Sequence, residues 1–134
     1  MSAAIVGVGI DLVRISRVRG ILGRWADRFF NRVLSPQETA YCRARRDPAP
    51  HVAARFAAKE AAMKALGVGW VGASWREVEI VNAPSGQPEL RVSGRAAARM
   101  ASLGADSAVV SLTHDGDYAA AHVILSRNAP AERV

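Results

Sequence analysis

The sequence predicts an α+β fold, in which a small, mainly antiparallel sheet packs with a few helices. Three observations predict it. Short apolar runs recur from Glu77 onward, and two of them flank an Asp-Gly turn of the kind that closes hairpins. A long central stretch, His51–Leu66, holds seven alanines and neither glycine nor proline, which favours a helix. The chain has 134 residues, 50% of them apolar and 22% charged, a size and balance that suit one soluble domain. That domain is expected over residues 1–126, with 127–134 as a loose tail.

The elements follow in order. Ile5–Asp11 (IVGVGID) reads as a buried strand, and its Gly7 and Gly9 predict close approach of another backbone. Ser16–Phe30 repeats apolar residues every three or four positions (Val18, Ile21, Leu22, Trp25, Phe29), as a helix does. Ser35-Pro36-Gln37-Glu38 opens a further helix with a capping box and a proline in the first turn. Asp47-Pro48-Ala49-Pro50 predicts a break. The helix His51–Leu66 stops at Gly67, and a loop runs to Ser74. Strands are expected at Glu77–Asn82 and Glu89–Ser93 around the turn 83–86. A short helix at Gly94–Leu103 precedes strands Ala108–Thr113 and Tyr118–Leu125, joined through His114-Asp115-Gly116-Asp117.

Composition excludes several classes. No apolar run nears the roughly 18–20 residues that cross a bilayer. The N-terminus lacks a basic signal-peptide start, and the single cysteine, Cys42, allows neither an internal disulfide nor a Cys-rich zinc site. A cytoplasmic setting is expected. The net charge of +6 is uneven: residues 1–64 carry 12 Lys/Arg against 5 Asp/Glu, and residues 65–134 carry 6 against 7. Six arginines fall within 14–32, a field that draws an acidic partner. Nucleic acid is not expected, since aromatics are only 6% and no nucleic-acid-binding motif is present.

The central helix divides unusually. Val52, Phe56, Met63 and Leu66 share a broad face with Arg55, Lys59 and Glu60, with Lys64 at its edge, while alanines fill the opposite half. A plain surface helix separates its charges from its large apolar residues. Either the alanine half packs on the core and the charged half lines a site, or the alanines face water. Three cations and one acid suit an anionic ligand with a metal. Other motifs fail their context. Gly67-x-Gly69-x-x-Gly72 follows a helix instead of a strand, so it is not a dinucleotide loop. His114 and His122 have no third ligand at zinc spacing, and Cys42 has no activating motif.

Three segments together resemble the small phosphopantetheinyl transferases of the bacterial holo-acyl-carrier-protein synthase type. They are Gly7-Val8-Gly9-Ile10-Asp11, then Ala54-Arg55-Phe56-Ala57-Ala58-Lys59-Glu60-Ala61 continuing through Lys64-Ala65-Leu66-Gly67, then Val110-Ser111-Leu112-Thr113-His114 with Tyr118–Ala121. The resemblance implies the 4′-phosphopantetheinyl transferase fold and Mg²⁺-dependent transfer of phosphopantetheine from coenzyme A to a serine of apo-acyl-carrier protein, in support of fatty-acid biosynthesis. It implies Asp11 and Glu60 as metal ligands, and Lys59 and Glu60 as catalytic residues. Glu60, or a water it orients, would take the serine proton, with Glu38 as runner-up. Arg55, Lys59, Lys64, Gly67, Ser111 and His114 would contact coenzyme A, and Arg14, Arg17, Arg24 and Arg28 the acidic carrier protein. It also implies a homotrimer whose active sites lie between subunits. A noncatalytic binder of acidic protein or coenzyme A would need the basic helix but not Asp11 and Glu60 together.

Overall fold

The structure, a computed structural model, describes residues 4–69 and 72–128. Strand β1 (Ala4–Arg14) leads into helix α1 (Ile15–Val33), α2 (Pro36–Arg43) and α3 (Pro48–Leu66). A 3-10 turn at Trp75–Glu77 precedes β2 (Val78–Asn82) and β3 (Pro88–Val92). Helix α4 (Gly94–Ser102) and the strands β4 (Ser107–Asp115) and β5 (Tyr118–Arg127) complete the order. The strands form two antiparallel sheets, β1-β5-β4 and β2-β3, so the expected α+β class holds.

The core is α3 against the three-stranded sheet. Gly7 and Gly9 let the strand lie directly on the helix, because a Cβ at Gly9 would overlap the Ala61 carbonyl oxygen and one at Gly7 that of Ala65. Side chains alternate along a strand, so Gly7, Gly9, Asp11 and Val13 all turn toward α3. The partners of Asp11 and Val13 on β5 are Ala121 and Ala119, both buried and small. Strand β1 continues three residues beyond the expected end at Asp11, because its ladder with β5 runs on to Arg14 opposite Tyr118.

Two helix starts repay comparison. Ser35 and Glu38 form the expected capping box: Glu38 N–H donates to Ser35 Oγ at 3.2 Å, and Ser35 N–H donates to Glu38 Oε1 at 2.9 Å. The break expected at 47–50 is corrected. Pro48 and Pro50 lie inside the first turn of α3, where a missing N–H costs no helical hydrogen bond. The chain break therefore falls at 44–47. Gly67 closes α3 with φ 69°, the left-handed C-cap that glycine favours.

The hairpin between β4 and β5 turns through Gly116 and Asp117, and it fixes the start of α1. Asp117 accepts from Ser16 N–H at 2.8 Å and from Ser16 Oγ–H at 2.6 Å. It caps a helix whose own preceding residue, Arg14, supplies no side-chain cap. The Ser16 hydroxyl holds the Asp117 carboxyl below its ordinary range. Strand β5 extends through Arg127, the first residue of the expected tail, and 129–134 lie outside the described residues.

Candidate active site

Strand β1 and helix α3 bring Asp11 and Glu60 to one pocket of about 320 Å³. Arg14 and Arg17 line it with them, and Phe29 and Phe56 supply apolar wall. The Phe56 ring lies 6.0 Å from Phe29 and stacks on Trp75 at 5.1 Å. Lys64, one helical turn beyond Glu60, donates to Asp11 Oδ1 and to the Ile10 carbonyl, each at 3.0 Å. Asp11 is largely covered while Lys64 is half-exposed, so a carboxylate in this pocket already attracts a cation. Sequence spacing carries no sign of this meeting, since Asp11 and Glu60 are far apart in the chain.

Lys59 is corrected. Expected to meet phosphate, it is instead fully buried on another side of α3. Its ammonium lies 2.9 Å from Glu38 Oε1 and donates to the carbonyls of Trp75, at 3.0 Å, and Val78. Glu38 Oε2 accepts from Ile80 N–H at 2.8 Å. Burial pulls the Lys59 pKa below its ordinary value, although Glu38 opposes the shift. Lys59 does not line the pocket of Asp11 and Glu60. Glu38, 1% exposed, is equally closed to a substrate proton and is no candidate base.

The remaining expected contacts fall into separate places. Arg55 is buried, with its guanidinium 4.0 Å from the Tyr41 ring centre and Nη2 donating to Asn82 Oδ1 at 2.6 Å. Its Nε is buried with no partner among the described residues. His114 joins this neighbourhood through His51, whose ring is 6.2 Å away and 6.1 Å from Tyr41. Burial, then the charges of Arg55 and Arg45, hold the His51 pKa below its ordinary value. Tyr41, Arg45 and His51 were missed in the sequence; the only available signal was the four-residue step from His51 to Arg55, which stacks the two on one helix face.

Gly67 ends α3 at its far end, about 24 Å from His51 at 1.5 Å per residue. Ser111 is exposed on β4, opposite the exposed His122 of β5. Within one chain the expected coenzyme A contacts do not converge. At the end of β1, Arg14 leans on Tyr118, donating to its hydroxyl at 3.2 Å. Arg24 and Arg28 lie further along, on α1, 6.0 and 5.4 Å from the Trp25 ring, where the helix kinks.

The donor set suits a hard cation. Among the described residues no three His, Cys, Asp or Glu side chains gather, so a metal at Asp11 and Glu60 would complete its shell with phosphate oxygens and water. That is the binding habit of Mg²⁺. Nucleophilic chemistry at Cys42 does not fit, since burial pushes its thiol up to about 11 and no part of it is exposed.

Comparison with known proteins agrees with this fold. The 4′-phosphopantetheinyl transferase superfamily profile matches residues 7–123. A holo-[acyl-carrier-protein] synthase of Nitratidesulfovibrio vulgaris (strain Hildenborough) is 50% identical over 122 residues, covering 90% of this chain and 98% of that protein. The crystal structure of the Helicobacter pylori holo-[acyl-carrier-protein] synthase in complex with coenzyme A superposes with a TM-score of 0.78 at 32% identity, over 88% of this chain and 98% of that one. A Bacillus anthracis holo-(acyl-carrier-protein) synthase in complex with CoA (3′,5′-ADP) gives 0.76 at 31% identity, over 92% and 98%. With its motifs, its fold and its relatives in agreement, the chain belongs to the 4′-phosphopantetheinyl transferase superfamily.

Proposed function

We propose that this enzyme transfers 4′-phosphopantetheine from coenzyme A to a serine hydroxyl of apo-acyl-carrier protein, with Mg²⁺ as cofactor, in the cytoplasm and in support of fatty-acid biosynthesis. The observation that carries the reading is the shared pocket of Asp11, Glu60, Arg14 and Arg17. The serine oxygen forms a bond to the phosphorus on the pantetheine side of the pyrophosphate. The bond from that phosphorus to the bridging oxygen breaks, and adenosine 3′,5′-bisphosphate leaves with the electron pair. Asp11 and Glu60 would hold Mg²⁺ on the pyrophosphate. The ion supplies neutralisation of the charge that phosphoryl transfer develops. Glu60 has a second oxygen to take the serine proton. Lys64, already beside Asp11, adds positive charge where the leaving group departs. Release of adenosine 3′,5′-bisphosphate that requires both coenzyme A and the apo-carrier tests the reaction; release without the carrier would contradict it.

Arg14 and Arg17 at the pocket, with Arg24 and Arg28 on either side of the kink at Trp25, form the docking face for an acidic carrier. Arg17→Glu is expected to raise the KM for the carrier at least about tenfold at low salt, with a smaller effect on that for coenzyme A. The difference should shrink as salt is added. Steady-state kinetics at two ionic strengths check it.

The working unit is a homotrimer with its sites between subunits. Two observations support this. Val8, Ile10 and Leu12 point away from α3 and are 55, 64 and 63% exposed, and Val109 on β4 is 57% exposed. Such an apolar sheet face is unusual on a monomer. Ser111 and His122 stand in the same cross-strand row as Ile10, so Ser111 lies beside this apolar face, which supports a site shared between subunits. Sedimentation is expected to give three copies for the native protein and one for Ile10→Glu.

A further inference from the structure

Helix α3 has to present Glu60 toward Asp11, and much of the surface it packs on its neighbours is alanine. Ala53, Ala54, Ala57, Ala58, Ala61, Ala62 and Ala65 are all buried, and alanine faces are smooth, with no long side chain to interlock. Gly7 and Gly9 set how closely the strand approaches. Among the larger side chains that α3 buries (Val52, Arg55, Lys59, Met63 and Leu66), Lys59 is the one whose ion pair and hydrogen bonds reach three other elements. A lysine ammonium has three donors, and here each has a partner: Glu38 Oε1, the Trp75 carbonyl and the Val78 carbonyl. Glu38 in turn accepts from Ser35 N–H in its own cap and from Ile80 N–H in β2. One ion pair thus ties α2, α3, the 3-10 turn and β2 together. Trp75, held through its carbonyl, stacks on Phe56 in the pocket wall.

Burying an ion pair contributes little net stability compared with apolar residues of the same size, and its best-attested use is to fix register. From this arrangement we infer that Glu38 and Lys59 are positioning residues that pin the rotation of α3 and so set Glu60 opposite Asp11. The inference rests on the proposed reaction only for its kinetic consequence. A rotation of about 20° moves a carboxylate about 5 Å from the helix axis by roughly 2 Å. Misplacement of about 1 Å is enough to lower a rate about a hundredfold.

The test uses the full chain with Glu38→Gln/Lys59→Met, which removes both charges together, and Glu38→Asp, which keeps them but withdraws the carboxylate by one methylene. The expected result is cooperative unfolding in both variants. The kcat should fall about a hundredfold in the first and severalfold in the second, with the KM for coenzyme A within about threefold of the native value. Crystal structures should show α3 turned about its axis against β1 in the double variant. If the double variant does not fold, Glu38→Asp carries the same kinetic and structural comparison alone. Native kcat and native helix orientation in a folded variant would overturn the inference. A turned helix in variants of a native protein that transfers nothing would uphold the pin and refute the proposed reaction instead.

Discussion

Replacing Glu60 with alanine is expected to lower phosphopantetheine transfer by at least about 10³-fold while the protein stays folded. One removed electrostatic group at a reacting centre costs about 10²–10³, and a lost general base costs about 10²–10⁴. Glu60 is assigned both roles, so the larger end applies. The fold should survive because Glu60 is only partly buried and alanine is the best helix former. Steady-state rates beside a thermal melt check both halves. A rate within tenfold of native would remove Glu60 from the mechanism.

The second large effect is on stability. Gly9→Ala is expected to cost about 3 kcal/mol or more. The added methyl would overlap the Ala61 carbonyl oxygen and also press on the Ala65 backbone nitrogen at 2.9 Å. These are backbone atoms inside a helix, and they cannot swing aside as the end of a flexible side chain can. The strand would have to lift from α3 along the row that also carries Asp11, so binding at the pocket should weaken too. For a chain of this length the Tm should fall by about 10 °C. Gly20, in α1, is the control: a Cβ there meets nothing within 4 Å. Gly20→Ala should stabilise by about 0.5–1 kcal/mol, because glycine is costly inside a helix. Equal melting temperatures for the two variants would contradict the close-packing account.

Much of this architecture is legible in local sequence because its signals are local. The capping box at Ser35, the glycine stop at Gly67 and the glycine of the β4–β5 hairpin, Gly116, each depend on a few neighbouring residues, and each stands where expected. The glycines of β1 announced a close backbone neighbour, and α3 is that neighbour. The prolines at 48 and 50 misled because proline is both a helix breaker and a good first-turn residue, and only the fold decides which. Lys59 misled for a different reason. Its place among cations and an acid on one helix face suggested a ligand site, but a lysine can be buried when every donor finds a partner. Those partners come from α2, the 3-10 turn and β2. Asp11 and Glu60 were paired only by resemblance to a family, since their meeting is a tertiary event. The Arg55, Tyr41, His51 and His114 cluster is tertiary as well, and only Arg55 and His114 were expected to bind anything.

The central claim is that the pocket of Asp11 and Glu60 transfers phosphopantetheine with a bound divalent cation. Its most direct test is the intact mass of an apo-acyl-carrier protein after incubation with the enzyme and coenzyme A, with Mg²⁺ in one sample and EDTA in another. The account predicts a gain of one phosphopantetheine with Mg²⁺, none with EDTA, and recovery when Mg²⁺ is restored in excess. An unchanged mass across several apo-carriers, from a folded enzyme that still binds coenzyme A, would contradict it and leave a coenzyme A binder in its place.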